Sequence, residues 1–250
     1  MHEGEHGRGA VAEMLRSDRR SPSARFAESM VDWARSIAIA LVLFLIVRTS
    51  MVEAFKIPTS SMEGTLLVGD FLLVNKAVYG AHLPGLDLTL PAFAEPERGD
   101  VIVFHPPHEP EKNYVKRVVG VPLDTLEMRD KRLYLNGAPV YEPYARYIDG
   151  RGDAVHPDMG WQSNHLIAST KPEYHPTRDN WGPIVVPEGR FFVLGDNRDN
   201  SEDSRYWGFV ARDQVRGRPW MVYYSFEAEL DEPLDWLSRV RWGRLGTVIR

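Results

Sequence analysis

The sequence of 250 residues predicts a mostly β fold, in which an N-terminal transmembrane helix precedes an antiparallel β-sheet domain with a small inserted lobe. An uncharged apolar run lies near the N-terminus, and beyond it short β-branched and aromatic runs alternate with turn residues. Between about Val140 and Pro187 this apolar pattern thins, while Pro, Gly, His and Tyr accumulate. Such a change of composition is typical of an insertion.

The composition excludes several classes of protein. A net charge of -5 and the lack of a long Lys/Arg run argue against nucleic acid as a partner, because phosphate binding requires a basic face. The chain has no cysteine, which excludes disulfide frameworks, thiolate zinc sites and cysteine nucleophiles. This absence is compatible with either side of a membrane.

The apolar run Ser36–Val47 is uncharged but shorter than a usual membrane span. Extended from Trp33 to Val52 it reaches full length, with Arg35 and Arg48 near the ends, where long cationic side chains reach the lipid headgroups. We therefore assign residues 33–54 to a transmembrane anchor. A cleaved signal peptide is the alternative, and the roughly 35 residues before the run are too many for its charged N-terminal part.

Residues 1–32 form a polar, charge-mixed tail to which we assign no function. Basic residues are frequent before the anchor and rare shortly after it, which predicts a cytoplasmic tail and an outer location for the rest of the chain. We divide the outer part into residues 55–139 and 188–250, which form the β domain, and the lobe 140–187. The basic residues before the apolar run are Arg8, Arg16, Arg19, Arg20, Arg25 and Arg35, and those shortly after it are Arg48 and Lys56.

The strands of the β domain are predicted from short apolar runs that end at turn residues such as Asn136–Gly137 and Glu188–Gly189. Their number and spacing indicate antiparallel pairing with little helix. The predicted strands are 71–74, 100–104, 114–121, 125–128, 132–135, 190–194 and 220–226.

Ser61 is the first candidate for chemistry. Pro58 keeps Ile57 extended and ends its strand, so that Thr59 and Ser61 fall in a turn, where a hydroxyl group can project from the backbone. A Ser/Thr-rich turn without a catalytic role is the alternative interpretation of this segment alone.

Lys116 is the second candidate. In a strand, Lys116 and Arg117 point to opposite faces, so one of the two cations must lie among apolar neighbours if either face is packed. Burial lowers the pKa of a lysine by up to about 3 to 5 units, and the neutral amine can then act as the base for a serine nucleophile. A surface lysine is the alternative.

The polar loop 195–208 follows an apolar strand and contains Ser201, Asp203 and Arg205. Its spacing does not fit a calcium-binding EF-hand. We predict instead that Ser201 orients a lysine amine and that an Asp203–Arg205 ion pair holds the loop. His105 and His108 flank two prolines and are not expected to bind metal, so we predict no metal and no cofactor.

Five segments together point to a family. They resemble, in chain order, the sequence boxes of bacterial type I signal peptidase, also called leader peptidase, a family of Ser-Lys dyad proteases. The five segments are 57–62 (IPTSSM), 66–79 (LLVGDFLLVNKAVY), 98–104 (RGDVIVF), 114–120 (YVKRVVG) and 195–208 (GDNRDNSEDSRYWG).

The resemblance implies a membrane-bound serine endopeptidase, which removes N-terminal signal peptides from exported preproteins at small-x-small sites. It implies that Ser61 is the nucleophile and Lys116 the general base. Thr59 matches the hydroxyl of the oxyanion hole, in which the Ser61 backbone N–H is the other donor. Ser201 matches the serine that positions the lysine, supported by Asp203 and Arg205.

The implied location is the outer, periplasmic side of the bacterial cytoplasmic membrane, with a single span and a cytoplasmic N-terminus. The expected partners are signal-peptide-bearing preproteins and phospholipid, with a monomer as the expected oligomeric state. This chain has Thr59 where the family often has Ser, and Gly64 where it often has Pro. A membrane-anchored binding protein and an acyl hydrolase of the penicillin-recognising type are the alternatives, and the second lacks its S-x-x-K motif.

Overall fold

The computed structural model describes residues 22–80, 91–150, 153–167, 174–227 and 239–250. Most of the predicted tail, residues 1–21, lies outside these ranges. The chain divides into two compact units, Met1–Arg48 and Thr49–Arg250. All the sheet residues belong to the second unit.

Helix α1 spans Pro22–Met51 and so begins within the predicted tail, 11 residues before the predicted anchor. Proline suits a helix start because its missing N–H group would have no partner there. The apolar side chains of α1 between Ile37 and Leu45 are exposed, and the chain turns directly into a strand at Val52. No helix in the described ranges has both the length and the apolar character needed to cross a membrane. The predicted transmembrane span stays a prediction.

The second unit is built from antiparallel strands, which confirms the mostly β prediction. Central strands such as β3 are buried along their whole length, because both faces of the sheet are covered. The strands are β1 Val52–Lys56, β2 Asp70–Asn75, β3 Val101–Phe104, β4 Tyr114–Gly120, β5 Thr125–Arg129, β6 Arg132–Leu135, β7 Ala138–Pro139, β8 Trp181–Val185, β9 Arg190–Leu194, β10 Val210–Ala211 and β11 Val215–Ser225.

Two sheets share these strands. The large sheet has the order β1-β2-β11-β3-β4-β9-β10, and the small sheet has the order β7-β6-β5-β8. Strand β1 is therefore an edge of the large sheet, paired with β2 along Val52–Lys56. Strand β4 is central, between β3 and β9.

The small sheet crosses the predicted border between the first part of the β domain and the inserted lobe. Strand β8 lies inside the predicted lobe 140–187 and pairs with β5, which lies outside it. The local pattern of β8 is a weak strand signal, because its Gly182–Pro183 step is atypical of a strand. The lobe thus shares a sheet with the residues before it.

An apolar cluster of the large sheet lies next to the segment of the candidate serine. Ile57 and Met62 are 4% and 1% exposed and belong to this cluster. They anchor the chain on both sides of Ser61. The other buried members are Leu66, Leu72, Val74, Val101, Val103, Val222 and Ile249.

Candidate active site

Ser61 lies just past the edge strand β1, in the short 3-10 turn Ser60–Met62. The Ile57 N–H group donates to the Asp70 carbonyl at 2.8 Å, so pairing with β2 continues as far as Ile57. Beyond Pro58 the chain leaves the sheet, as the sequence predicts. Buried Ile57 and Met62 then fix the turn from both sides.

Gly64, which stands where the resembling family often has proline, has a backbone conformation that proline cannot adopt. Its φ is +112°, in the region that favours glycine, and a Cβ atom there would meet the Arg146 side chain at 3.0 Å. Proline cannot adopt this angle, because its ring fixes φ near −65°. Proline therefore does not fit at position 64 in this turn.

Lys116 meets Ser61 across the groove between β1 and β4. Lys116 Nζ lies 2.6 Å from Ser61 Oγ, at hydrogen-bond distance, and the lysine is 4% exposed. The ring of Tyr114 lies 5.6 Å from the same nitrogen. Within the described ranges no carboxylate lies within ion-pair distance of Lys116.

Burial lowers the pKa of Lys116 to about 8. The Asp203 carboxylate opposes this effect and the Arg205 guanidinium reinforces it, while Glu202 and Asp196 act in the same direction as Asp203. A lysine with this pKa is partly neutral near pH 8, and its lone pair can accept the proton of the Ser61 hydroxyl.

Both cations of β4, Lys116 and Arg117, are buried, although the alternation of the strand predicted burial for only one of them. Arg117 is 2% exposed and donates from Nε and Nη2 to the two carboxylate oxygens of Asp196, each at 2.8 Å. Asp196 also accepts from Thr65 Oγ1 at 2.6 Å. This ion pair joins β4 to the polar loop that follows β9.

The same loop holds the backbone of the serine turn. The Asn197 N–H group donates to the Ser61 carbonyl at 3.1 Å, and Asn197 Nδ2 donates to the Ser60 carbonyl at 3.3 Å. Asn200 Nδ2 donates to Ser60 Oγ at 2.8 Å. Sequence reasoning missed these contacts of Asn197 and Asn200 and the Arg117–Asp196 pair, although all four residues lie inside the quoted family segments.

Thr59 is exposed beside the serine. Its Oγ1 lies 3.3 Å from Ser61 Oγ, and either atom can donate. A hydroxyl at this position can also donate to an oxygen that is held next to Ser61 Oγ. The structure thus brings Thr59, Ser61 and Lys116 together.

Ser201 is buried close to the Ser61 backbone. A Cβ atom on Gly195 would lie 2.2 Å from Ser201 Oγ and 2.5 Å from the Ser61 carbonyl oxygen, so only glycine allows this approach. The Ser201 hydroxyl contributes to the low pKa of the Asp203 carboxyl, yet it forms no well-aligned hydrogen bond to any described residue. Its predicted contact with the Lys116 amine is not made in this structure.

Asp203 and Arg205 form a buried ion pair. Arg205 Nε and Nη2 each donate to the Asp203 carboxylate at 2.8 Å, and Asp203 accepts from the Gly195 N–H group at 3.1 Å. Burial raises the pKa of the Asp203 carboxyl, but Arg205 and the hydrogen bonds outweigh it, so the pKa lies below its usual value. Asp203 also caps helix α2, Ser204–Trp207.

A groove of about 570 Å³ contains the Ser61–Lys116 pair. One wall is the edge strand β1 with the turn after it, and the other is the start of β4. Phe55, Ile57, Met62 and Val115 give it a largely apolar lining. In the described ranges no group of three or more His, Cys, Asp or Glu residues could hold a metal ion.

Comparison with known proteins identifies the family of the chain. The family model described as "Signal peptidase, peptidase S26" matches residues 30–224. Three relatives named "Signal peptidase I" are similar to the chain. The relative from Pseudomonas aeruginosa is 40% identical over 225 residues, covering 84% of this chain and 78% of the relative. The relative from Pseudomonas fluorescens is 38% identical with the same coverage, and that from Aquifex aeolicus is 32% identical, covering 75% of this chain and 81% of the relative.

Proposed function

We propose that this chain, which belongs to the signal peptidase family of S26 peptidases, cleaves signal peptides from preproteins with Ser61 as nucleophile and Lys116 as general base. The family assignment makes the protein a serine endopeptidase. The main support for a Ser-Lys dyad is the 2.6 Å distance between Lys116 Nζ and Ser61 Oγ. Among the described residues, no carboxylate forms an ion pair with this lysine.

The proposed reaction has two stages. Neutral Lys116 accepts the Ser61 hydroxyl proton while Oγ attacks the carbonyl carbon of the scissile peptide bond. The resulting ammonium then donates that proton to the leaving amine as the C–N bond breaks, which leaves an acyl ester on Ser61. In the second stage Lys116 takes a proton from water while the water oxygen attacks the ester carbonyl carbon. The bond between this carbon and Ser61 Oγ then breaks, the Lys116 ammonium returns the proton to Ser61 Oγ, and the signal peptide leaves with a free carboxylate.

Developing negative charge on the carbonyl oxygen requires donors. Thr59 Oγ1 lies within 3.3 Å of the nucleophile oxygen and is exposed towards the groove, and we assign it this role together with the Ser61 backbone N–H group. Donors that are already in place stabilise the transition state without reorganisation, because they do not have to exchange water at the moment of reaction.

Ser201, Asp203 and Arg205 are assigned supporting roles. The buried Asp203–Arg205 pair fixes the start of α2 and the loop before it. Ser201 is buried without a well-aligned hydrogen bond to any described residue, and we assign its hydroxyl to the Lys116 amine. Such a contact would orient the amine lone pair towards Ser61.

We propose that the substrate peptide binds at the unpaired edge of the large sheet, which is strand β1. Strand β1 pairs with β2 on one side, and no described strand pairs with its other side. An extended peptide can add there as a further strand and reach Ser61 at its end. The apolar groove then takes small side chains beside the scissile bond, which agrees with cleavage at small-x-small sites.

We assign the anchor to α1, with the tail in the cytoplasm and the β domain on the outer side of the cytoplasmic membrane as a monomer. The apolar side chains of α1 between Ile37 and Leu45 are exposed, which supports contact with lipid. Ser61 follows Met51 by ten residues, so the site lies close along the chain to the end of this helix. A signal peptide in the same bilayer would present its cleavage site at that level.

Cleavage of a preprotein by Lys116→Ala and Ser61→Ala proteins tests the proposal. We expect each variant to fold and to lose at least about 10³-fold in kcat, since each removes half of one proton-transfer unit. Lys112→Ala is the matched control, because Lys112 lines the same groove but is exposed and paired with Glu109. Cleavage by the Lys116→Ala protein at the parental rate would refute the mechanism.

The pH dependence gives a second test. Only the neutral amine accepts a proton, and burial lowers the pKa of Lys116 to about 8. We therefore expect kcat/KM to rise about tenfold per pH unit below pH 8 and to level off above it. A flat profile from pH 5 to 9 would contradict a lysine base.

A further inference from the structure

A second pocket of about 480 Å³ lies beside the catalytic groove and shares Asn113 with it. It is formed by the ends of β1 and β2, the loop after β3, and the start of β11 with the 3-10 turn before it. None of its residues belongs to the proposed catalytic machinery. The residues that carry its charge are Glu53, Lys76, His105, Arg212, Asp213 and Arg216.

Arg216 lacks a counter-charge in this pocket. No carboxylate of the described residues lies within ion-pair distance of its guanidinium, and its buried Nε–H group has no acceptor. Arg216 Nη2 lies 3.5 Å from His105 Nδ1. A half-buried cation whose neighbour is an imidazole is unusual, because buried charges in proteins are normally paired.

The other charges in the lining are mostly compensated. Lys76 Nζ lies 3.1 Å from Glu53, and Arg212 is paired with Glu95 and also donates to the Tyr79 carbonyl at 3.1 Å. Asp213 is exposed at the rim and has no ion pair among the described residues. The uncompensated charge inside the pocket is therefore positive and is centred on Arg216.

We propose that this pocket binds a phosphate group between Arg216 and His105. A guanidinium presents its N–H groups as a planar fork, which matches two oxygens of a phosphate group. The oxygens would give the Arg216 N–H donors the acceptors they lack. They would also separate the guanidinium from the imidazole, which now face each other directly.

The phosphate can come from free phosphate or from a phospholipid headgroup. Glu53 lies at one wall of the pocket and follows the last residue of α1 by two positions. Two residues of chain span at most about 7 Å, so this wall lies close to the end of the helix. If α1 is the membrane anchor, as proposed above, lipid headgroups are within reach. The binding chemistry is the same for both sources.

His105 reports on occupancy. Burial and the Arg216 charge lower the pKa of His105, while contacts with the Pro110 carbonyl and Asn113 and the charge of Glu53 raise it. A bound anion adds a negative charge next to the ring and screens Arg216, so phosphate binding must raise this pKa. By linkage, phosphate then binds more tightly as the pH falls through the His105 titration.

Thermal unfolding of the full chain in an uncharged detergent tests the site. Inorganic phosphate replaces chloride at constant ionic strength, and the melting temperature is followed as a function of phosphate concentration. We expect a rise of about 3 to 5 °C at ten times the dissociation constant. This rise should vanish in Arg216→Gln and persist in Arg132→Gln, which removes an exposed arginine from the small sheet.

A second variant and a second readout keep the test decisive if Arg216→Gln folds poorly. Asp213→Asn removes a negative charge from the rim of the pocket, so phosphate should bind this variant more tightly. In nuclear magnetic resonance titrations of the parent, phosphate should raise the His105 pKa. No rise in melting temperature with phosphate in the parent, or the same rise in Arg216→Gln, would overturn the proposal.

Short-chain phosphatidylglycerol below its micelle concentration separates the two sources. A dissociation constant at least about tenfold below that of inorganic phosphate, lost in Arg216→Gln, supports the site with a lipid headgroup as its occupant. Binding no tighter than inorganic phosphate supports the site with free phosphate as its occupant. Preprotein cleavage by the parent is measured separately, so failure of the phosphate site and failure of the protease mechanism are distinguishable.

Discussion

Strand β4 places two buried cations next to each other in sequence and on opposite faces. Lys116 is 4% exposed and meets a serine hydroxyl and an aromatic ring. Arg117 is 2% exposed and meets a carboxylate through two hydrogen bonds, as well as the Gly99 carbonyl at 2.7 Å. The burial of the two residues is nearly equal, and their partners differ.

The partners decide what burial does to each cation. A buried cation without a counter-charge relieves its desolvation by losing its proton, and a lysine can do so within the physiological range. An arginine cannot be deprotonated there, so it requires a carboxylate, which Asp196 supplies. One face of β4 thus carries a base for chemistry, and the other carries a cross-link between the strand and the loop that holds the serine turn.

Replacing Lys116 by Met should change activity and stability in opposite directions, and this is the largest effect that we predict. We expect kcat to fall by at least about 10³-fold and the free energy of unfolding at pH 7 to rise. The lowered pKa of about 8, against about 10.4 for a free lysine, corresponds to a desolvation cost of about 3 kcal/mol. Urea unfolding of the full chain measures the stability change.

The pH dependence of this stability gain tests whether desolvation of the Lys116 ammonium is its cause. Below pH 8 Lys116 is protonated in both the folded and the unfolded state, so the parent bears the full cost. Between about pH 8 and 10.4 only the unfolded state still binds the proton, and the parent gains stability as the pH rises. The advantage of Lys116→Met should therefore disappear above about pH 10.4. An advantage that is constant with pH would contradict desolvation as its cause.

The neighbouring residue should respond with the opposite sign. Arg117→Met leaves Asp196 buried without its counter-charge, and we expect a loss of about 3 to 5 kcal/mol in the free energy of unfolding. The double variant Arg117→Met, Asp196→Leu should lose less, because no charge stays buried alone. Urea unfolding of the two single variants and the double variant measures this coupling. Equal losses in the single Arg117 variant and the double variant would contradict the paired role of Arg117.

The sequence predicted local features of the site better than its long-range contacts. Pro58 ends the extended segment before Ser61, and the apolar runs around Lys116 place it in a strand, because both effects depend on neighbouring residues. The strands 132–135 and 190–194 are found as predicted. Only the end of the edge strand β1 next to Pro58 was predicted, since Val52–Ala54 were assigned to the end of the anchor.

Contacts that join distant segments left little trace in local patterns. The Arg117–Asp196 pair spans 79 residues, and the Asn200–Ser60 contact spans 140. The alternation of side chains in β4 predicted that one of its two cations is buried. It could not predict that the loop after β9 brings the Asp196 carboxylate to Arg117. The resemblance to a family supplied the pairing of Ser61 with Lys116, which periodicity alone does not give.

Thr59→Val tests the oxyanion donor at a smaller expected effect. Loss of the hydroxyl should lower kcat by about 10²- to 10³-fold with little change in KM, because the donor acts in the transition state. Thr59→Ser keeps the hydroxyl and should retain most of the activity. Since Thr59 is exposed, both variants should unfold within about 0.5 kcal/mol of the parent. Equal kcat values for the Val and Ser variants would exclude Thr59 as a donor.

Glu202→Gln should produce the smallest effect and sharpen the account of Lys116. The Glu202 carboxylate lines the catalytic groove and raises the pKa of Lys116, so its removal should move the rising limb of kcat/KM to lower pH. The side chain of Glu202 is 67% exposed, and salt should therefore weaken the difference between variant and parent. Glu111→Gln, on the loop before β4 and outside the groove lining, is the matched control. Superimposable profiles at low salt would mean that the depressed pKa of Lys116 is set by burial and the Asp203–Arg205 pair without help from the groove rim.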